Sequence, residues 1–368
     1  MFKNINCKNL PSLRRNIVYQ FLYELLIVFI PLFTIPYVSR VLGAENIGLF
    51  SYTYAVANYF VLFANLGIKN YGSRTIAMVR NNKEELNRNF SEILSIHIIF
   101  SIIVIFVYLV LLFFFVEDNL VIFLIQSIYV FAAVFDINWF FFGIEKFKLT
   151  VGRNTLVKIL SVFLVLVFVK TQTDLWIYAL ILALSVFVGQ SVVWFALKQY
   201  VSWRRPSWAN MKQHIRPLFV LFLPILALSL YKYMDKIMLG SISSNVQVGF
   251  YENAEKIINV PMSLIMAFGV VLMPRIANMV TSKDKGEVFK LIDMSMEAVM
   301  LLAIAISFGL AGISFVLAPI FFGYEFEECG ILIMGLAVTV PFMAFANVIR
   351  TQYLIPYKED KYLLVPWF

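Results

Sequence analysis

Charge is scarce in this chain. Only 14% of its 368 residues are Asp, Glu, Lys or Arg, against about 25% in an ordinary soluble domain. There are 2 cysteines and 2 histidines. So few cysteines exclude a disulfide-built scaffold, and no Cys/His run has the spacing of a metal site. A phosphate-cradling glycine loop and a nucleophile elbow are missing too, so the chain reads as a non-enzyme with no bound cofactor. Apolar residues are what it has: 61% hydrophobic, 17% aromatic and 37 Phe. A soluble core would hide only part of that surface and leave patches no soluble monomer tolerates. The composition is that of an integral membrane protein.

A membrane β-barrel would alternate apolar and polar residues over ~10-residue strands. Ile98–Val116 and Leu120–Phe135 are instead nearly unbroken apolar runs, on the scale of the ~20 residues a spanning helix needs. The basic head (Lys3, Lys8, Arg14, Arg15) opens onto a hydrophobic run too long for a signal-peptide core. Hydropathy places ten complete spans at roughly 16–38, 47–68, 92–116, 120–142, 154–169, 174–197, 217–239, 248–273, 295–318 and 330–350, with an eleventh beginning near Tyr362. The expected fold class is all-α and polytopic.

Basic residues fill alternate loops: Lys69 to Arg88, Lys146 to Arg153, Lys198 to Arg216, Arg275 to Lys290 and Arg350 to Lys361. The loops between them carry Glu117–Asp118, Asp174 and the trio Glu325, Glu327, Glu328. Short basic loops resist translocation, so the N-terminus is expected in the cytoplasm. Basic loops facing anionic lipid account for the net charge of +8 without a nucleic-acid partner. Tyr200–Pro217, with Trp203, Trp208 and Arg204–Arg205, reads as an interfacial linker. Cys7 and Cys329 fall on opposite sides of the membrane, so no disulfide is expected between them.

The chain also carries an internal repeat. At an offset of 201, Gly48 meets Gly249, Asn58 meets Asn259, and Arg74-Met78-Val79 meets Arg275-Met279-Val280. Just upstream, Val41-Leu42-Gly43 meets Met238-Leu239-Gly240 at an offset of 197. Six spans separate the copies, which preserves orientation. The expectation is two parallel-repeat lobes around a central cleft, related by an axis along the membrane normal. The lobes are drawn at 1–199 and 217–368, with 200–216 as the linker. By the offset, the second lobe has four complete helices and part of a fifth, so the gene product is expected to be truncated, with at least about 30 further residues in a full-length relative.

Charges inside spans are costly and should face protein or water. Glu24, Asp136 and Lys158 fall in the first half; Lys232, Asp235, Lys236, Glu252, Glu255 and Lys256 fall in the second. Positions 252, 255, 256 and 259 form one helical face, which Asn259 and Ser263 continue. Its repeat partner is Ser51, Tyr54 and Asn58, continued to Asn65. Both stripes are expected to line the cleft. Lys232, Lys236, Lys256, Lys158, Asn58, Asn259 and Tyr54 are the candidate substrate groups, and Glu24, Asp136, Asp235, Glu252 and Glu255 the candidate coupling carboxylates, for a proton or sodium gradient. The bland alternative is that Glu252–Lys256 and Lys232–Asp235 only neutralise one another. His97 and His214 lie far apart in sequence with no partnered Cys or carboxylate motif; His97 is read as a structural helix residue.

Arg40-Val41-Leu42-Gly43, Ile47-Gly48-Leu49-Phe50-Ser51 and Arg74-Thr75-Ile76-Ala77 together resemble the amino-terminal part of bacterial polysaccharide flippases. Asp235-Lys236-Ile237-Met238-Leu239-Gly240, Val248-Gly249-Phe250-Tyr251 and Ala254-Glu255-Lys256 resemble the matching segment of their second lobe. These are oligosaccharide repeat-unit flippases of the multidrug/oligosaccharidyl-lipid/polysaccharide exporter superfamily. The resemblance implies an alternating-access transporter of the bacterial plasma membrane. Its implied cargo is an oligosaccharide on undecaprenyl pyrophosphate, moved to the outer leaflet for capsule or cell-surface polysaccharide, with polysaccharide assembly proteins as further partners. A cation-coupled drug exporter of the same superfamily and a membrane polysaccharide polymerase are the alternatives. A drug exporter favours a net-acidic cavity, and a polymerase a large outer loop; neither is evident.

Overall fold

The computed structural model describes residues 10–281 and 285–357, with side chains at most positions from Ile30 onward. In chain order the helices are α1 (Leu10–Asn65), α2 (Ile68–Val79), α3 (Lys83–Phe115), α4 (Leu120–Val134), α5 (Asn138–Gly143), α6 (Phe147–Phe168), α7 (Leu175–Leu197), α8 (Trp208–Ile242), α9 (Asn245–Thr281), α10 (Lys285–Phe322), α11 (Cys329–Ala337) and α12 (Thr339–Val348). Among the described residues no strand occurs. Among them, eight helical runs are long and apolar enough to cross a membrane. The ten sequence-derived spans map onto them with two differences. The first two fuse into one run, Ile30–Val79, and the span at 248–273 lies on α9, which carries Glu252, Glu255 and Lys256 and is not among the eight. The eleventh span near Tyr362 lies outside the described residues.

The fusion has a local cause. The sequence-derived spans end at 38 and resume at 47, but helical geometry between them is broken at Gly43 alone (φ 78°, ψ 171°). Glycine enters that region without a Cβ penalty, so a single residue makes the corner. Elsewhere the boundaries follow ordinary chemistry. Asn82 caps α3 by accepting from the Glu84 and Glu85 amides at 3.1 and 3.3 Å, and the two acids sit on the positive end of the helix dipole. Helix α8 starts nine residues before the expected 217 and runs through Pro217 and Pro224. Hydropathy marks where apolar sequence begins, whereas this helix continues into the basic segment beyond it.

Two compact units result: 1–34 with 50–241, and 35–49 with 242–368. They differ from the lobes drawn on the repeat, because α1 residues 35–49 pack with the second unit and α8 packs with the first. The first unit's main core gathers Phe90, Trp139, Phe140 and Phe141 with Ile68, Ile76 and Leu218. The second unit's core sets Ile258, Met262 and Val299 against Ala303, Ala337 and Ala344, small residues that let membrane helices approach closely.

The second unit also holds a contact that bears on the repeat. A Cβ on Gly48 would lie 1.6 Å from the Asn245 carbonyl oxygen, and one on Gly249 would lie 2.1 Å from that of Ala44. Asn245 is Ala44 displaced by 201, and Gly249 is Gly48 displaced by 201. The two contacts are therefore exchanged copies of each other, the pattern a two-fold relation produces. Equivalent glycines meet face to face between α1 and α9, as parallel repeats about a common axis require.

Candidate functional site

In the first unit, polar side chains converge at the break between α4 and α5. The Asp136 carboxylate accepts from the Asn138 backbone at 3.0 Å and from its side-chain amide at 2.7 Å, an Asx-type turn that starts α5. That same amide nitrogen donates to Gln190 of α7 at 2.9 Å. Arg153 of α6 donates to the Asn138 side-chain oxygen at 3.2 Å, to the Gly189 carbonyl at 2.8 Å and to Asn154. Trp194 satisfies the Phe135 carbonyl at 2.9 Å. His97 of α3 is fully buried. Discontinuous helices with freed backbone groups are where transporters of this design place substrate and coupling ions.

A second cluster closes the basic end of the same unit. His214 of α8 bridges Glu92 of α3 (Nε2 to Oε2, 2.9 Å) and Tyr71 of α2 (Nδ1 to the hydroxyl, 2.7 Å). Both the His214 and the Glu92 side chains are almost fully buried. The expectation that His214 lacks a carboxylate partner is thereby corrected: the partner is 122 residues away, visible only once α3 and α8 pack. The linker is fastened to the same face of α3. The Ser202 and Arg204 amides donate to Asn87 and Ser91, each at 3.0 Å, and the Arg204 guanidinium meets Glu84 at 3.1 Å.

The sequence-derived candidates divide between the units. Tyr54, Asn58, Asp136, Lys158, Lys232, Asp235 and Lys236 belong to the first, and Glu252, Glu255, Lys256 and Asn259 to the second. Tyr54 stacks on Phe50 at 5.7 Å and meets Tyr129 edge-on at 5.1 Å, while Phe50 meets Tyr178 at 4.9 Å. Asn58 donates to the Tyr54 carbonyl at 2.8 Å. The Lys232 ammonium lies 5.4 Å from the Tyr233 ring, and Tyr233 in turn contacts Tyr59. Lys236 is half-buried, whereas Lys158, Asp235 and Asn259 are exposed on their helices. Lys256 pairs with Glu252 at 3.0 Å, one turn apart, and Glu255 is half-buried beside them. The Glu24 side chain lies outside the described residues.

Sequence reasoning missed Arg153, Gln190, Asn138, Tyr129 and Tyr178 as partners. The one available signal was Asn138, two residues after an intramembrane aspartate. Among the described residues, no group of three or more His, Cys, Asp or Glu could hold a metal ion. Cys329 is buried and donates to the Phe250 carbonyl; Cys7 lies outside the described residues.

Fold and site together define a multi-pass α-helical membrane protein built from a parallel repeat, with polar networks between its helices. A family model described as "Polysaccharide biosynthesis protein" matches residues 13–280, and the chain belongs to this family. It is 26% identical over 360 residues to the "Putative O-antigen transporter" of Escherichia coli (strain K12), covering 96% of this chain and 86% of that protein. A protein of the same description from Shigella dysenteriae is 23% identical over 366 residues, covering 95% and 88%. In fold, the chain is similar to a solved inward-facing multidrug resistance MATE-family transporter of the MOP superfamily. The TM-score is 0.67 at 15% identity, covering 95% of this chain and 86% of that one.

Proposed function

We propose that the chain is a flippase that carries oligosaccharide repeat units on a polyprenyl pyrophosphate, undecaprenyl pyrophosphate, across the bacterial plasma membrane by alternating access. The destination is capsule or another cell-surface polysaccharide, with the N-terminus in the cytoplasm. Membership of a polysaccharide biosynthesis family and relatives named as O-antigen transporters support this reading. The observation that carries it is the aromatic and amide set of Phe50, Tyr54, Asn58, Tyr129 and Tyr178 on membrane helices of the first unit. Sugar rings offer apolar faces to such aromatics and hydroxyls to such amides. Lys232, Lys236 and Lys256 are the groups to meet the pyrophosphate. Coupling to a proton or sodium gradient would run through a carboxylate at membrane depth, Asp136 or Glu24.

Leaflet-specific labelling of lipid-linked repeat units in a deletion strain is the test. Trapping in the cytoplasmic leaflet is expected. Normal outward delivery with no compensating transporter overturns the reading, and drug efflux by the purified chain transfers it to the exporter alternative.

A further inference from the structure

The basic end of the first unit holds a cleft that neither the networks above nor the proposed transport uses. Its volume is about 380 Å³, and it opens where α2 ends, α3 begins, α5 turns into α6 and α7 ends. Three cations line it: Arg80, Lys83 and Lys146. Asn81, Gln199 and Tyr200 add hydrogen-bond donors between them. The adjacent carboxylate, Glu145, is engaged by Arg80 at 2.6 Å and holds that guanidinium at the rim. Among the described residues, neither Lys83 nor Lys146 has a carboxylate within ion-pair reach, and Lys146 rests 5.9 Å from the Tyr200 ring. The cleft is thus net positive, rich in donors and large enough for a small polar group.

Its lining points to what fills it. Leu86 and Ile144 also line it, so charged rim and apolar wall meet within one helical turn. Beyond the rim, Leu149 and Leu156 present exposed apolar side chains along α6. Trp203 on the linker and Trp208 at the start of α8, both exposed, stand at the same end of the unit, as aromatics do at the head-group level. A ligand seated here would have a phosphate among the cations and apolar chains running along the helices. We propose that this cleft binds the phosphate-bearing head group of an anionic phospholipid from the leaflet on the basic side. Basic pockets between membrane helices are suited to such head groups, and the Lys83 and Lys146 ammoniums supply the charge-assisted bonds.

This inference is independent of the transported cargo, and its test involves no transport. Lipid binding would be read by native mass spectrometry and by the thermal shift of the purified full chain in phosphatidylcholine nanodiscs titrated with phosphatidylglycerol. Preferential retention of phosphatidylglycerol is expected, weakening as salt rises. Replacing Lys83 and Lys146 together by Gln should lose roughly fivefold per lysine, about twenty-five-fold for the pair, while a Lys83→Arg/Lys146→Arg form keeps the preference. Lys170→Gln, at the opposite end of the unit, should bind as wild type does. Both lysines are exposed on their helix ends, so the Gln form should retain the fold, checked by its unshifted melting in pure phosphatidylcholine. Equal protection by inorganic phosphate reassigns the cleft to a soluble phosphate and overturns the lipid source. Unchanged preference in the double Gln variant overturns the site itself.

Discussion

In the first unit ionisable side chains are held from several helices at once; in the second, Glu252 and Lys256 are paired along one helix. Asp136, Arg153 and Gln190 arrive from the α4–α5 break, α6 and α7 and share bonds through Asn138. Glu252 and Lys256 sit one turn apart on α9 and need no other element to find each other. A network anchored from three sides resists the loss of a member poorly, because each remaining buried group is then left unsatisfied. A local pair loses little. The two arrangements should therefore separate sharply under mutation.

The largest effect is expected at the buried pair of the first unit. His214→Leu strands the Glu92 carboxylate, which is about 1% exposed, and removes the partner of the Tyr71 hydroxyl. Removing one partner of such a buried pair costs about 3–5 kcal/mol. The double variant Glu92→Leu/His214→Leu removes both polar partners and should recover most of that loss. Denaturant unfolding in detergent, run as a double-mutant cycle, measures the difference. A double variant as unstable as the single one would show that packing, rather than charge, holds α8 to α3.

Arg153→Gln should come next. It deletes bonds to Gly189 and Asn138 that cross from α6 to α7 and α5, and each hydrogen bond to a charged group contributes about 1.5–3 kcal/mol. Asp136→Asn preserves the turn geometry while removing the charge, so it should lower gradient-dependent transport with a smaller stability change. Transport of Asp136→Asn that still follows the imposed gradient would exclude Asp136 as the coupling site and leave Glu24.

The glycine contact sharpens the comparison from the other direction, since here the second unit is the intolerant one. Gly48→Ala and Gly249→Ala each push a Cβ into a backbone carbonyl of the facing helix, an overpacking expected to cost about 1–3 kcal/mol. The two contacts are repeat copies, so the two costs should be similar and strongly non-additive, because one separation of α1 from α9 relieves both. Gly309 and Gly312 on α10 have open space where a Cβ would go, and Ala there should be neutral or stabilising by about 0.5–1 kcal/mol. Thermal melts of the four variants check the set.

These contrasts also mark what was legible in the sequence. Composition and hydropathy were enough for an all-α membrane protein, because spans are long and each is encoded locally. The repeat was readable from Gly48 and Gly249, since a face-to-face helix contact leaves room for glycine alone. The Glu252–Lys256 pair was readable because its partners lie one turn apart. The Asp136 network and the Glu92–His214 pair were not, as their members are separated by up to 122 residues and nothing local marks them as partners. The boundaries of packing were hidden for a related reason. Residues 35–49 and α8 pack away from the half that encodes them, and a duplicated sequence cannot show which copy an element packs against.

The smallest stability effect, and the most informative about function, is expected at Lys256. Its ammonium pairs with Glu252 within a single helix and is about one-third exposed, and such i,i+4 pairs are worth roughly 0.2–0.5 kcal/mol. Lys256→Gln keeps the side-chain length and can still donate to Glu252, so unfolding should be nearly unchanged. If the ammonium also meets the cargo pyrophosphate, transport must fall well beyond what stability explains, because an amide replaces a charge-assisted bond with a neutral one roughly half as strong. Lys232→Gln, in the first unit, is tested in the same assay for its own contact with the anion. Wild-type transport rates from both variants would reduce these lysines to neutralising and anchoring groups and shift the substrate assignment to the aromatic set around Tyr54.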